Sequence, residues 1–130
     1  MGSQENIDLV RRGYDAFGAG DMATLGELFN DDAVWHVGGS GALSGDKSGR
    51  DAILAYFGEL VSRSGGTVKV TLDDVVGGDN HTVGVQRNHA ERDGKAMDQR
   101  AALVFTIRDG KVAEVYEFLE DTARNDEFWS

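Results

Sequence analysis

The residues best suited to chemistry cluster in the second half of the chain. Glu117 stands in Glu114-Val-Tyr-Glu-Phe-Leu-Glu-Asp121, with Val115 and Leu119 two residues to either side. Residues two apart on a strand share a face. If Val115 and Leu119 face a cavity, Glu117 does too, and a carboxyl among apolar neighbours exchanges protons nearer neutral pH. The other geometry stays open: Val115 and Leu119 on an outer face, with Glu117 paired to an arginine. Arg87 and His89 are also two apart. Together they could bind an oxyanion or orient Glu117; an interface or surface salt bridge is the alternative. His36 follows Trp35, and imidazole, which titrates nearest physiological pH, suits a general base. A satisfied or exposed strand histidine is the plainer account of His36 and His89. No metal site is expected, because the chain has no cysteine and no third ligand accompanies these two histidines. Asp31-Asp32 and Asp73-Asp74 are sequence neighbours whose side chains point apart, so they read as solvated turns.

These residues need a scaffold, and the hydrophobic periodicity supplies one. In residues 4–18, Ile7, Val10, Tyr14 and Phe17 recur three and four apart, one face of an amphipathic helix. Gly18-Ala-Gly20 stops it, and Asp21 can cap a short second helix burying Met22, Leu25, Leu28 and Phe29. Ala33 to Val37 reads as a strand, and Gly38-Gly39-Ser40-Gly41 as a flexible loop without dinucleotide or P-loop spacing. Ser48 with Asp51 resembles a capping box ahead of a third helix that buries Ile53, Leu54, Phe57, Leu60 and Val61. From Thr67 the period falls to two, and Asp93-Gly94 and Asp109-Gly110 are strong hairpin turns. Residues 67–119 therefore form a meander of four antiparallel strands. The expected fold is a single α+β domain over residues 1–130: three N-terminal helices on a strongly curved, mostly antiparallel sheet, a cone-shaped barrel enclosing a pocket. Tyr14, Phe17, Trp35, Phe57, Phe105 and Leu119 are expected to wall it, and Phe128-Trp129 to plug a sheet edge or a partner chain.

Composition narrows the function classes. A net charge of −10 with 13 Lys and Arg residues in no stripe argues against nucleic-acid binding. No apolar run approaches the ~18 residues of a membrane span and no signal-peptide pattern opens the chain, so the expected compartment is the cytoplasm. There is no proline, where average usage predicts about six. That absence, with the Met1-Gly2-Ser3 opening, would suit an engineered scaffold.

The order AFGAGDMATLGELFNDDAVWHVGG, then SGRDAILAYFGEL, then IRDGKVAEVYEFLED resembles the SnoaL-like branch of the nuclear transport factor 2-like superfamily across nearly the whole chain. The resemblance implies an α+β cone, a homodimer through the outer sheet face and no metal or other cofactor. It implies no single reaction, since relatives include steroid isomerases, polyketide cyclases and epoxide hydrolases. The steroid-isomerase base would fall near Val37 and one of its oxyanion-hole acids near Leu103, both apolar, and Tyr14 sits one residue out of register with the other. That route is rejected. Epoxide-hydrolase-like members would match Arg87-Asn88-His89 and Glu117, with histidine and glutamate replacing two aspartates. Cyclase-like members imply a carboxylate near the last strand: Glu117, with Asp121 in reserve.

The expectation is therefore a cofactor-free acid–base enzyme for a small apolar oxygenated molecule, carrying out aldol-type cyclisation or isomerisation, or else epoxide hydrolysis. Glu117 would transfer the proton, His89 or His36 would activate water or an enol, and Arg87 would hold developing negative charge. The alternative is a non-catalytic module that binds an apolar ligand or dimerises.

Overall fold

The computed structural model describes residues 3–130; Met1 and Gly2, part of the opening noted above, lie outside them. The chain runs α1 (Ser3–Ala19), α2 (Met22–Leu28), β1 (Phe29–Val37), β2 (Gly45–Ser48), α3 (Arg50–Arg63), β3 (Lys69–Gly77), β4 (Thr82–Arg92), β5 (Lys95–Arg108), β6 (Lys111–Leu119) and α4 (Thr122–Trp129). The six strands form one mixed sheet in the order β2-β1-β6-β5-β4-β3, in which only β1 and β6 run parallel. The fold is α+β. The sheet curls over its helices but does not close, since β2 and β3 remain as edges. Bulges in the β1–β6, β3–β4 and β5–β6 ladders supply the bending.

Local chemistry explains most of these elements. Asp21 caps α2 by accepting the Thr24 amide at 3.1 Å. Asp93-Gly94 and Asp109-Gly110 each place two successive residues at positive φ, the type I′ geometry that matches strand twist. α1 packs on β3 and β4, and α3 on β1 and β2, so the helices cover one face of the sheet. The core between the layers is strongly aromatic: Trp35 stands edge-on to Phe57 at 5.1 Å and to Phe105 at 6.5 Å between ring centres.

Three elements differ from expectation. The first strand begins at Phe29, directly after α2, because the Asn30-Asp31-Asp32 segment stays extended. α3 is capped by Gly49 at φ 94°, with no side-chain capping bond, because Ser48 belongs to the short edge strand β2. The C-terminal segment is a helix, started by Asp121, which accepts the Arg124 amide at 3.0 Å. Asp121 is thereby a cap rather than a reserve site acid. Phe128 and Trp129 are buried in their own chain, edge to face at 4.9 Å. Among the described residues no helix is long and apolar enough to cross a membrane.

Candidate functional site

Cross-strand register decides which polar groups share the space under the sheet. Leu103 pairs with Gly84 on one side and with Glu117 on the other, and Glu117 in turn pairs with Val37. Side chains along such a row point the same way. Glu117 therefore faces the helices, as do Gln86 and Asn88, which have the parity of Gly84.

The helix-facing side encloses a cavity of about 100 Å³. At 10–15 Å³ per water-sized centre this is room for roughly seven to ten such groups, a compact ligand. Tyr14, Phe17, Trp35, Phe57 and Phe105 wall it, as do Leu28 and Leu60. Leu119 does not; it packs against the core.

Glu117 lines this cavity. Its Oε1 accepts hydrogen bonds from Trp35 Nε1 at 2.8 Å and Tyr56 Oη at 3.0 Å. No described residue bonds Oε2, and no buried polar side-chain atom among the described residues lacks a partner. Oε2 is therefore open to the cavity. Burial pushes the Glu117 carboxyl above its ordinary value of 4.5; the bonds from Trp35 and Tyr56 and the charge of Lys47 pull it back only in part. Burial also raises the Tyr56 hydroxyl, with help from Glu117, so Tyr56 stays a donor. Lys47 projects from β2 over the Tyr56 ring at 5.3 Å and donates to the Ser44 carbonyl at 2.9 Å. Burial lowers its pKa, with Glu117 and Asp46 opposing.

A second polar group lies on β4. Tyr14 Oη donates to Gln86 Oε1 at 2.5 Å, and Gln86 Nε2 donates to Asn88 Oδ1 at 2.6 Å. Burial, and then the charge of Glu117, raise the Tyr14 phenol well above its ordinary range. Gly84 makes this possible, because a Cβ there would lie 2.7 Å from Tyr14 Oη.

Arg87, His89 and His36 occupy the opposite, outer face, which corrects the expectation that they join Glu117. Arg87 alternates with Gln86 and Asn88 and pairs with Asp73 at 2.9 Å. His89 borders the cavity, but its imidazole is engaged outside by Asp98 at 2.7 Å and Glu91 at 3.2 Å. His36 is held between Asp46 and Glu114, each at 2.7 Å, and stacks on Tyr116 at 4.2 Å. Among the described residues no set of His, Asp and Glu is arranged to hold a metal ion.

Sequence reasoning missed Tyr56, Lys47, Gln86, Asn88 and the wall made by α4. Asp126 accepts the Ser40 amide at 2.8 Å and the Ser44 hydroxyl at 3.0 Å, tying the glycine loop to α4. Leu43 from that loop and Asn125 and Trp129 from α4 then complete the cavity wall. The glycines fit because Asp126 lies within 2.9 Å of where a Gly41 Cβ would stand.

Comparison with known proteins agrees with this architecture. An uncharacterised protein of Mycobacterium tuberculosis, Rv0034, is 37% identical over 131 residues, covering all of both chains. Bal32a, from a soil-derived mobile gene cassette, superposes with a TM-score of 0.96 at 43% identity, covering 98% of each chain. An NTF2-like protein of Burkholderia xenovorans shares the fold, with a TM-score of 0.81 at 21% identity, covering 100% of this chain and 99% of that one. The profile of the SnoaL-like domain matches residues 10–115, and the chain belongs to that family.

Proposed function

We propose that the chain is an acid–base enzyme that needs no cofactor for its proton transfer and acts on a compact, largely apolar molecule with an acidic C–H. The observation that carries this reading is Glu117: one carboxyl oxygen is fixed by Trp35 and Tyr56 and the other opens into an apolar cavity. The carboxylate takes the proton from a carbon next to a carbonyl. The C–H pair becomes the C=C bond of an enolate, and the carbonyl π pair moves onto oxygen. Where a C=C is conjugated to the enolate, returning the proton to the γ-carbon isomerises the molecule; attack of the enolate carbon on a second carbonyl instead closes an aldol ring, and the protonated Glu117 carboxyl gives its proton to the new alkoxide. A raised carboxyl pKa brings the group's proton affinity nearer that of its substrate. His36, His89 and Arg87 take no part.

The test is hydrogen–deuterium exchange at the α-carbon of compact cyclic ketones in D₂O, followed by NMR. Wild-type protein accelerates exchange, and Glu117→Gln lowers the rate by about 100-fold or more, the scale of general acid–base catalysis. Full exchange in Glu117→Gln, or no acceleration by wild type, refutes the assignment.

The outer sheet face favours a second, compatible role. Tyr116 is 43% and Phe118 58% exposed, and their rings stack at 6.1 Å. We propose that a second copy of the chain covers them. Sedimentation should give a dimer for wild type and a monomer for Phe118→Lys; a monomeric wild type removes this role.

A further inference from the structure

We propose that the β4 end of the cavity is a neutral carbonyl-binding site, in which Asn88 Nδ2 donates to the oxygen of a compact apolar ketone or aldehyde. The proposal rests on the reading above that the cavity, not the outer sheet face, takes the substrate.

A hydrogen-bond chain runs in one direction along β4. The Tyr14 hydroxyl donates to Gln86 Oε1, and Gln86 Nε2 donates to Asn88 Oδ1. Each amide carbonyl is thereby used, and the group left at the end of the chain is the Asn88 amide nitrogen. No described residue accepts from Nδ2, and no buried polar side-chain atom among the described residues lacks a partner. Asn88 faces inward with Gln86 and Ala90 and lines the cavity. Its free N–H groups therefore open into that space. Successive donors polarise one another, so the last N–H is a stronger donor than an isolated amide.

The surroundings select the acceptor. Val70, Ala90 and Met97 line this end of the cavity, no lysine or arginine is among the lining residues, and the imidazole of His89, which borders the cavity, is taken up outside by Asp98 and Glu91. A carboxylate or phosphate ligand would lie in apolar surroundings without a countercharge and would share the cavity with Glu117. A neutral carbonyl oxygen needs a donor and no countercharge. The ligand therefore has a carbonyl at the Asn88 end and a hydrocarbon body along the aromatic wall. Tyr14 and Gln86 are positioning residues: they fix which end of the Asn88 amide faces the ligand.

Cyclohexanone and its apolar isostere methylenecyclohexane provide the test, with affinities from ligand-observed NMR and the carbonyl stretch of bound cyclohexanone from difference infrared spectroscopy. Wild type binds the ketone about tenfold more tightly than the isostere, the scale of one hydrogen bond with its unpaired-donor penalty. Its carbonyl stretch shifts to lower wavenumber. In Asn88→Leu the preference and the shift both vanish while methylenecyclohexane still binds; Asn88→Ala is the second variant, should leucine prevent folding. Tyr14→Phe reduces the shift part-way. Glu117→Gln keeps the preference and loses only proton exchange. A ketone preference that survives Asn88→Leu and Asn88→Ala overturns the site, even where Glu117→Gln still abolishes exchange and the acid–base reading stands. An Asn88-dependent preference in a wild type that does not exchange protons supports the site and removes the acid–base reading. Equal affinities for the two probes in wild type, or no binding of either, overturn the site.

Discussion

Replacing Gly84 with alanine probes the contact that organises the β4 side of the cavity. The new Cβ would lie 2.7 Å from Tyr14 Oη and 3.3 Å from the nearest two ring carbons. The hydroxyl must retreat by roughly 0.7 Å to reach ordinary contact, and its bond to Gln86 is only 2.5 Å long. Overpacking of this kind costs about 1–3 kcal/mol. Replacing a strand glycine by alanine returns about 0.5–1 kcal/mol of backbone entropy, and Gly84 is not among the positive-φ glycines, so no strain opposes that gain. The net loss is about 0–2.5 kcal/mol, and at about 4 °C per kcal/mol for a chain of this length the melting temperature falls by up to about 10 °C. The decisive assay is a double-mutant cycle in urea. Tyr14→Phe removes the clashing oxygen, so Gly84→Ala becomes neutral or stabilising in that background, with a coupling of about 1–3 kcal/mol. Additivity within about 0.5 kcal/mol refutes the packing argument.

Other consequences can be checked singly. Glu117 has a folded-state pKa above 4.5, so the folded protein holds its proton more tightly than the unfolded chain. Stability from this group is present below pH 4.5 and declines as pH rises through the folded value; urea titrations should show Glu117→Gln gaining on wild type across that window, and parallel curves would exclude it. Tyr56→Phe removes one donor to the carboxylate, and a carboxyl-carbon NMR titration should find the Glu117 pKa moved further up. At His36, burial lowers the pKa but the bonds to Glu114 and Asp46 outweigh it, and the net shift is upward from 6.5. Its stabilising contribution is complete below pH 6.5 and is lost as pH rises through the folded value, so the stability gap between wild type and His36→Gln should narrow at alkaline pH. Asp126→Ala cuts the two bonds that tie the glycine loop to α4; a loss of about 1–2 kcal/mol is expected, with faster amide exchange confined to residues 39–44.

Particular residues show why the fold was legible and the site only half so. The two Asp-Gly turns, the Asp21 cap and the three-and-four spacing of α1 are local features, and each formed as its chemistry requires. Counting pairs back from Asp93-Gly94 puts Gly84 opposite Leu103 and Arg87 opposite Arg100, as observed. The parity of β4 was therefore readable: Gln86 and Asn88 belong with Leu103, while Arg87 and His89 belong outside. The charged pair drew attention because such groups carry more chemistry than amides. Counting back from Asp109-Gly110 fails. An uninterrupted ladder would set Leu103 opposite Tyr116, but a bulge at Thr106/Ile107 advances β6 by one residue and sets it opposite Glu117. One extra residue thus decides that Glu117, not Tyr116, is buried, and no turn residue announces it. Tyr56 and Lys47 were hidden for another reason: they reach Glu117 from α3 and β2, far away in sequence.

Under the proposed function, Glu117 moves a proton inside an apolar cavity. The most direct measurement follows the Glu117 carboxyl carbon by NMR against pH while recording the α-exchange rate of cyclohexanone at each point. One inflection above 4.5, shared by the titration and the rate profile, is expected. A Glu117 inflection at or below 4.5, or a rate profile that ignores it, would exclude Glu117 as the group that moves the proton.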